Sequence, residues 1–118
     1  MPSADTDTDW AVYLGDAGRR HYSALTQINR DNVEQLELAW KYTSSERGGS
    51  MYASPLVIDG VLYGLSPQLV AFALDAATGE ELWRSDPEIQ QAQRGLMWWE
   101  KDGDRRIFYT AGRILIAL

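Results

Sequence analysis

The sequence predicts an all-β chain, a partial β-propeller with a short N-terminal helix, and three recurrences predict it. Tryptophan returns at a spacing of 43 residues, in Leu38-Ala39-Trp40-Lys41 and again in Glu81-Leu82-Trp83-Arg84. The dipeptide Asp59-Gly60 returns at the same spacing as Asp102-Gly103. The apolar run Val70-Ala71-Phe72-Ala73-Leu74 returns as Ile114-Leu115-Ile116-Ala117-Leu118, with the Ala-Leu pairs 44 residues apart, a difference of one loop residue. A period of roughly 40 to 50 residues rich in short strands is the signature of propeller blades, four-stranded antiparallel sheets that must stack to bury their faces.

The elements follow in order. Residues 1–9 carry Asp5, Asp7 and Asp9 with only Met1 and Ala4 as apolar residues, too little to offset ordering entropy, so a disordered tail is expected. Asn29 can cap a helix of about two turns, with Asp31 and Glu34 in an acidic start and Val33 and Leu36 as a short apolar stripe. Residues 36–43 read as an outer strand without the three strands that should precede it. They are expected to complete the last blade of a closed propeller, whose other strands lie elsewhere.

Residues 54–84 form the first blade in this reading. The stretch 54–58 is apolar and β-branched, Asp59-Gly60 is a two-residue hairpin signal, and 61–65 resumes the strand. Ser66-Pro67-Gln68 breaks the pairing, and the almost wholly apolar 69–74 suits a strand covered on both faces. Asp75-Ala76-Ala77-Thr78-Gly79 turns the chain into the Trp83 strand. Residues 95–118 repeat the order through a third strand, giving most of a second blade.

Composition excludes several functions. With 45% hydrophobic and 24% charged residues the chain is ordinary for a folded domain, so disorder throughout is excluded. A net charge of -6 argues against nucleic acid as a partner, and Arg19-Arg20 and Arg105-Arg106 read as solvated pairs. Zero cysteines remove disulfides, thiolate metal sites and a cysteine nucleophile. No basic-then-apolar signal peptide precedes Trp10, and no apolar run approaches the roughly 18 to 20 residues of a membrane span. Asp5, Asp7 and Asp9 do not make a calcium loop, because Trp10 stands where its glycine and Asp16 where its glutamate would be. His21 is the single histidine, which leaves neither a multi-histidine metal site nor a Ser-His-Asp triad.

The segment Ala73-Leu74-Asp75-Ala76-Ala77-Thr78-Gly79-Glu80-Glu81-Leu82-Trp83 resembles the tryptophan-docking motif of the PQQ-dependent (quinoprotein) alcohol and glucose dehydrogenases. In that family the tryptophan wedges between blades and the glycine turn presents backbone groups to it. Asp9-Trp10-Ala11-Val12-Tyr13-Leu14-Gly15-Asp16 with Tyr22-Ser23-Ala24-Leu25-Thr26-Gln27-Ile28-Asn29 is similar to the family's lead-in. Ser54-Pro55-Leu56-Val57-Ile58-Asp59-Gly60-Val61-Leu62-Tyr63 is similar to its first hairpin, and Gln93-Arg94-Gly95-Leu96-Met97-Trp98-Trp99 to the entry of its second blade.

The resemblance implies the N-terminal part, residues 10–118, of an eight-bladed periplasmic propeller holding PQQ and Ca2+. Such a protein oxidises a sugar or alcohol and passes the electrons to a quinone or cytochrome. Arg94 matches the arginine that contacts a PQQ carboxylate, a role suited to a planar, always-charged guanidinium. Tyr52, or Met51, stands where the family often has a glutamate, and Tyr52 is the candidate second cofactor contact. Methanol-type members stack the quinone on a vicinal disulfide shortly before that arginine. This chain has 88–93 and no cysteine there, which tilts the resemblance toward the glucose type. The family's catalytic aspartate and calcium ligands fall beyond Leu118, so no catalytic or metal residue is assigned here. A noncatalytic propeller of similar blades, serving as a protein-assembly scaffold, is the alternative. Trp40, Trp83, Trp98 and Trp99 are expected to pack between strands and blades.

Overall fold

The computed structural model describes residues 9–44, 48–51, 53–85 and 95–118. Strands β1 (Leu56–Ile58), β2 (Val61–Leu65), β3 (Ala71–Asp75) and β4 (Glu81–Arg84) form one antiparallel sheet in sequence order. Strands β5 (Met97–Lys101), β6 (Asp104–Ala111) and β7 (Ile114–Ala117) form a second, three-stranded sheet in the same order.

Turn chemistry sets the register. Asp59 (φ 51°) and Gly60 (φ 74°) both adopt the left-handed conformation that a tight two-residue hairpin needs, which pairs Ile58 with Val61 and Leu56 with Tyr63. Asp102 (φ 54°) and Gly103 (φ 83°) repeat the device and pair Lys101 with Asp104. In β3 the residues Ala71, Phe72, Ala73 and Leu74 are all buried, as a strand covered on both faces requires. Gly64 lies opposite Phe72 in the ladder, and a Cβ there would fall 2.3 Å from the Phe72 ring.

The β3–β4 turn is built by Asp75. Its Oδ1 accepts from the Ala77 and Thr78 N–H groups at 2.9 and 3.0 Å, and its carbonyl accepts from the Gly79 N–H at 2.8 Å. Trp40 rests on this turn. A Cβ on Gly79 (φ 76°) would come within 2.6 Å of the indole, and Trp40 Nε1–H donates to the Ala76 carbonyl at 3.1 Å. The docking of tryptophan on a glycine turn, expected from the sequence, is therefore present between residues 36–43 and the first sheet.

One buried cluster joins the two sheets. It takes Leu56 and Ile58 from β1, Leu65 from β2, Leu69 and Ala71 at the start of β3, and Leu96, Ile107 and Tyr109 from the second sheet. Strand β4, by contrast, is exposed along its length. The inner edge of β1 is not left open: Trp10 and Val57 exchange both backbone hydrogen bonds, at 2.6 and 3.0 Å. Asp9, the last residue of the expected tail, has its carboxylate accept from the Asp59 N–H at 3.0 Å. Residues 1–8 of that tail lie outside the described residues.

One expectation changes. The two-turn helix after Asn29 is a single 3₁₀ turn, Val33–Gln35, with no buried residue. Asn29 and Asn32 spend their side chains on nearby backbone instead: Asn29 Oδ1 accepts from Asp31 N–H and Asn32 Oδ1 from Asn29 N–H, a local alternative to helix. With no core contact on Val33 or Leu36, nothing offsets the nucleation penalty. Residues 36–43, expected to pair with strands outside this chain, join no ladder among the described residues and are held here by the side chains of Trp40 and Tyr42.

Candidate cofactor-binding cleft

Among the described residues, two clefts flank the joined sheets. The first follows the seam and has a volume of about 490 Å³. Tyr63 sits there between Trp83 and Trp98, with ring centroids 6.2 and 5.7 Å away. Burial pushes the Tyr63 phenol above its ordinary pKa. Both arginines of this cleft are neutralised: Arg84 by Glu81 at 2.8 Å, and Arg105 by Asp59 at 3.1 Å and Glu100 at 3.2 Å. Asp59 lies in the first sheet's hairpin and Arg105 on β6, so this ion pair crosses the seam. Trp98 thus packs in the seam as expected, and Trp99, one residue along the strand, is 41% exposed on the other face. Trp83 is 38% exposed and has no counterpart among the described residues to the turn that holds Trp40.

The second cleft, about 530 Å³, opens between the lead-in and the starts of the two sheets. Tyr13 and Arg19 form one wall, Ser54 and Leu56 of the first sheet another, and Gly95 and Leu96 a third. A volume within roughly 300 to 1,000 Å³, with mainly apolar walls and a few polar groups, is the usual form of a small-molecule site. Arg94 and Tyr52, the residues carried over from the family, lie outside the described residues. Their described neighbours, Gly95 beside Arg94 and Ser54 two residues after Tyr52, both line this cleft. The donor set suits a flat anionic ring: Arg19 supplies a guanidinium, Ser54 a hydroxyl, and Leu56 and Leu96 apolar surface. No group of three His, Asp or Glu residues able to hold a metal occurs among the described residues.

Arg19 and Tyr13 were not singled out by sequence reasoning. The Arg19-Arg20 pair read as solvated, and both residues are exposed: Arg20 turns to Asp16 at 2.6 Å, whose carboxyl is pulled below its usual value chiefly by that hydrogen bond. Arg19 instead donates from Nη1 to the Tyr13 carbonyl at 2.6 Å and lies 5.4 Å from the Tyr13 ring centroid. The stretch Leu14-Gly15-Asp16-Ala17-Gly18 reads as a turn but does not tell Arg19 from Arg20.

A sheet of four strands, a second of three, tryptophan docked on a glycine turn and a cleft at the sheet starts define a class, the propellers of quinoprotein dehydrogenases. The family model for the PQQ glucose/ethanol/alcohol dehydrogenase β-propeller domain matches residues 10–118, and the chain belongs to that family. It is similar to the 1-butanol dehydrogenase (cytochrome c) of Thauera butanivorans, at 48% identity over 83 residues, covering 69% of this chain and 12% of that protein. The crystal structure of the quinohemoprotein alcohol dehydrogenase from Comamonas testosteroni superposes with a TM-score of 0.79 at 34% identity, over 93% of this chain and 17% of that one. A europium-containing methanol dehydrogenase superposes with a TM-score of 0.75 at 25% identity, over 97% of this chain and 22% of that one. The chain therefore spans between 12% and 22% of the length of these proteins. No helix among the described residues is long and apolar enough to cross a membrane.

Proposed function

We propose that these residues are the N-terminal part of a periplasmic PQQ-dependent alcohol dehydrogenase that passes electrons to a cytochrome or a quinone. The observation that carries this reading is the propeller-domain match over residues 10–118. The relatives described above are named for alcohols, and one for cytochrome c, which supports an alcohol as substrate and a cytochrome as acceptor. Oxidation of a sugar remains the alternative raised by the missing disulfide. The scaffold reading has no comparable support, because those relatives are dehydrogenases by name.

In this reading PQQ supplies a two-electron acceptor for the substrate's C–H bond, with Ca2+ as the metal beside it. The chain's own part is to bind and enclose. Arg94 would hold a carboxylate of the cofactor, for which a guanidinium is well suited, and Tyr52 would add a second polar contact. Leu56 and Leu96 exclude water from their side of the cleft, which strengthens every polar contact made inside it. The catalytic base and the metal ligands come from other blades.

The full-length protein, reconstituted with PQQ and Ca2+, should reduce an artificial electron-accepting dye with primary alcohols and more slowly with aldoses and polyols. Turnover with aldoses alone would move the assignment to the sugar-oxidising members. No dye reduction with any of these substrates would overturn the enzyme reading.

A further inference from the structure

The lead-in is a folded part of the cleft. After Trp10 pairs with β1, the chain turns back on itself, with Gly15 N–H donating to the Val12 carbonyl at 2.9 Å, Arg19 N–H to Asp16 at 3.0 Å and His21 N–H to Leu14 at 3.1 Å. A Cβ on Gly15 would fall 2.7 Å from the Trp10 indole, so the turn lies directly on that ring. Three residues with side chains take the left-handed conformation here, Leu14 (φ 62°), Arg19 (φ 55°) and His21 (φ 54°). Strain concentrated in this way persists only where the surroundings impose it, and such clusters gather at ligand sites.

The consequence is a positioned cation. Arg19 is held by its bond to the Tyr13 carbonyl and by the Tyr13 ring, and it lines the second cleft. A guanidinium has five N–H donors, and those left over find no acceptor among the described residues. Of the three arginines that line the two clefts, Arg84 and Arg105 are paired with carboxylates, whereas Arg19 faces no carboxylate among the described residues. Among the described residues the arginines of the seam cleft are therefore paired, whereas the second cleft holds an exposed guanidinium, tied to the Tyr13 carbonyl, with no carboxylate beside it.

We propose that Arg19 is a further cofactor-contact residue, binding a carboxylate of PQQ from the lead-in and acting in addition to Arg94. The inference rests on the PQQ reading above. It makes the folding of residues 9–21 onto β1 a condition for tight cofactor binding, and it gives the site a preference for a carboxylated quinone over one without carboxylates.

The test is equilibrium binding of PQQ to the full-length apoprotein, followed by tryptophan quenching, for wild type, Arg19→Gln, Arg19→Lys and the exposed Arg30→Gln. Arg19→Gln should raise the Kd at least tenfold, Arg19→Lys should recover part of the loss, and Arg30→Gln should match wild type. PQQ trimethyl ester separates recognition from folding: Arg19→Gln should weaken binding of the acid and leave that of the ester nearly unchanged. An Arg19→Gln Kd within twofold of wild type, or equal losses for acid and ester, would overturn the proposal. Failure of the wild-type protein to bind PQQ at all would instead remove the reading on which it rests.

Discussion

Gly79 and Gly60 take almost the same backbone conformation, φ 76° and 74°, but only Gly79 has a neighbour where a side chain would go. Alanine at Gly60 pays the backbone cost alone, on the order of 1 kcal/mol. Alanine at Gly79 pays that cost and displaces the Trp40 indole, so its loss should exceed that of Gly60→Ala by about 1 to 3 kcal/mol. Urea denaturation of the two variants measures the difference, and a red shift of tryptophan emission in Gly79→Ala alone would locate it at Trp40. Equal losses would mean that the docking contributes nothing.

Tyr42 ties the same segment to β4 by a polar contact. Its hydroxyl donates to Glu81 and accepts from Arg84 Nη2 at 2.8 Å, while its ring lies 4.9 Å from that of Phe72. Burial, then the Glu81 hydrogen bond, pushes the phenol up, and the hydrogen bonds from Arg84 and Tyr42 hold the Glu81 carboxyl below its ordinary value. A lowered carboxyl pKa contributes stability that is present above about 4.5, the ordinary value, and is lost as the pH falls through the lowered one. The stability advantage of wild type over Glu81→Gln should therefore be small at neutral pH, because the pair is solvent-screened, and should vanish in acid. An advantage that grew on acidification would contradict the assignment. Tyr42→Phe keeps the ring contact and should cost roughly 0.5 to 1.5 kcal/mol, read from the urea midpoint.

At the scale of elements, the strands and hairpins were legible because their causes are local. Asp59-Gly60 and Asp102-Gly103 demand two successive left-handed residues, and the ladders follow in the register that the turns impose. The Asp75-to-Gly79 turn was equally readable, since an aspartate that caps its own turn needs only residues two to four positions away. The helix after Asn29 was drawn from a pattern whose benefit depends on distant partners. Val33 and Leu36 are exposed, so the helical pattern produces only one 3₁₀ turn. Gly64 tests how tightly β2 and β3 are matched. Gly64→Ala places a methyl against the Phe72 ring and should cost about 1 to 3 kcal/mol in thermal or urea melts, although the backbone there is ordinary. A neutral substitution would show that Phe72 can move aside.

Across the molecule, the two sheets share one buried cluster but leave large apolar side chains in water. Tyr22, Leu38, Met97 and Leu115 are 73%, 82%, 69% and 66% exposed, on the lead-in, residues 36–43 and the second sheet. Faces of this kind are normally covered by protein. The 118-residue chain on its own should therefore self-associate or melt without cooperativity in light scattering and calorimetry. A monomer with a sharp transition would refute this.

The candidate site was half legible. Arg94 and Tyr52 came from motif resemblance and lie outside the described residues, whereas Arg19 stayed hidden because nothing in its neighbours distinguishes it from Arg20. What separates the two is where a turn and the Trp10 bridge to β1 send each side chain, Arg20 to Asp16 and Arg19 to the cleft. By itself the sequence determined the repeat, the hairpins, the glycine turn that receives tryptophan and the family, all set by interactions between residues close along the chain. Tertiary structure alone decided which sheet edge the lead-in covers, which arginines are neutralised and where a cleft remains, because those depend on groups brought together from tens of residues apart.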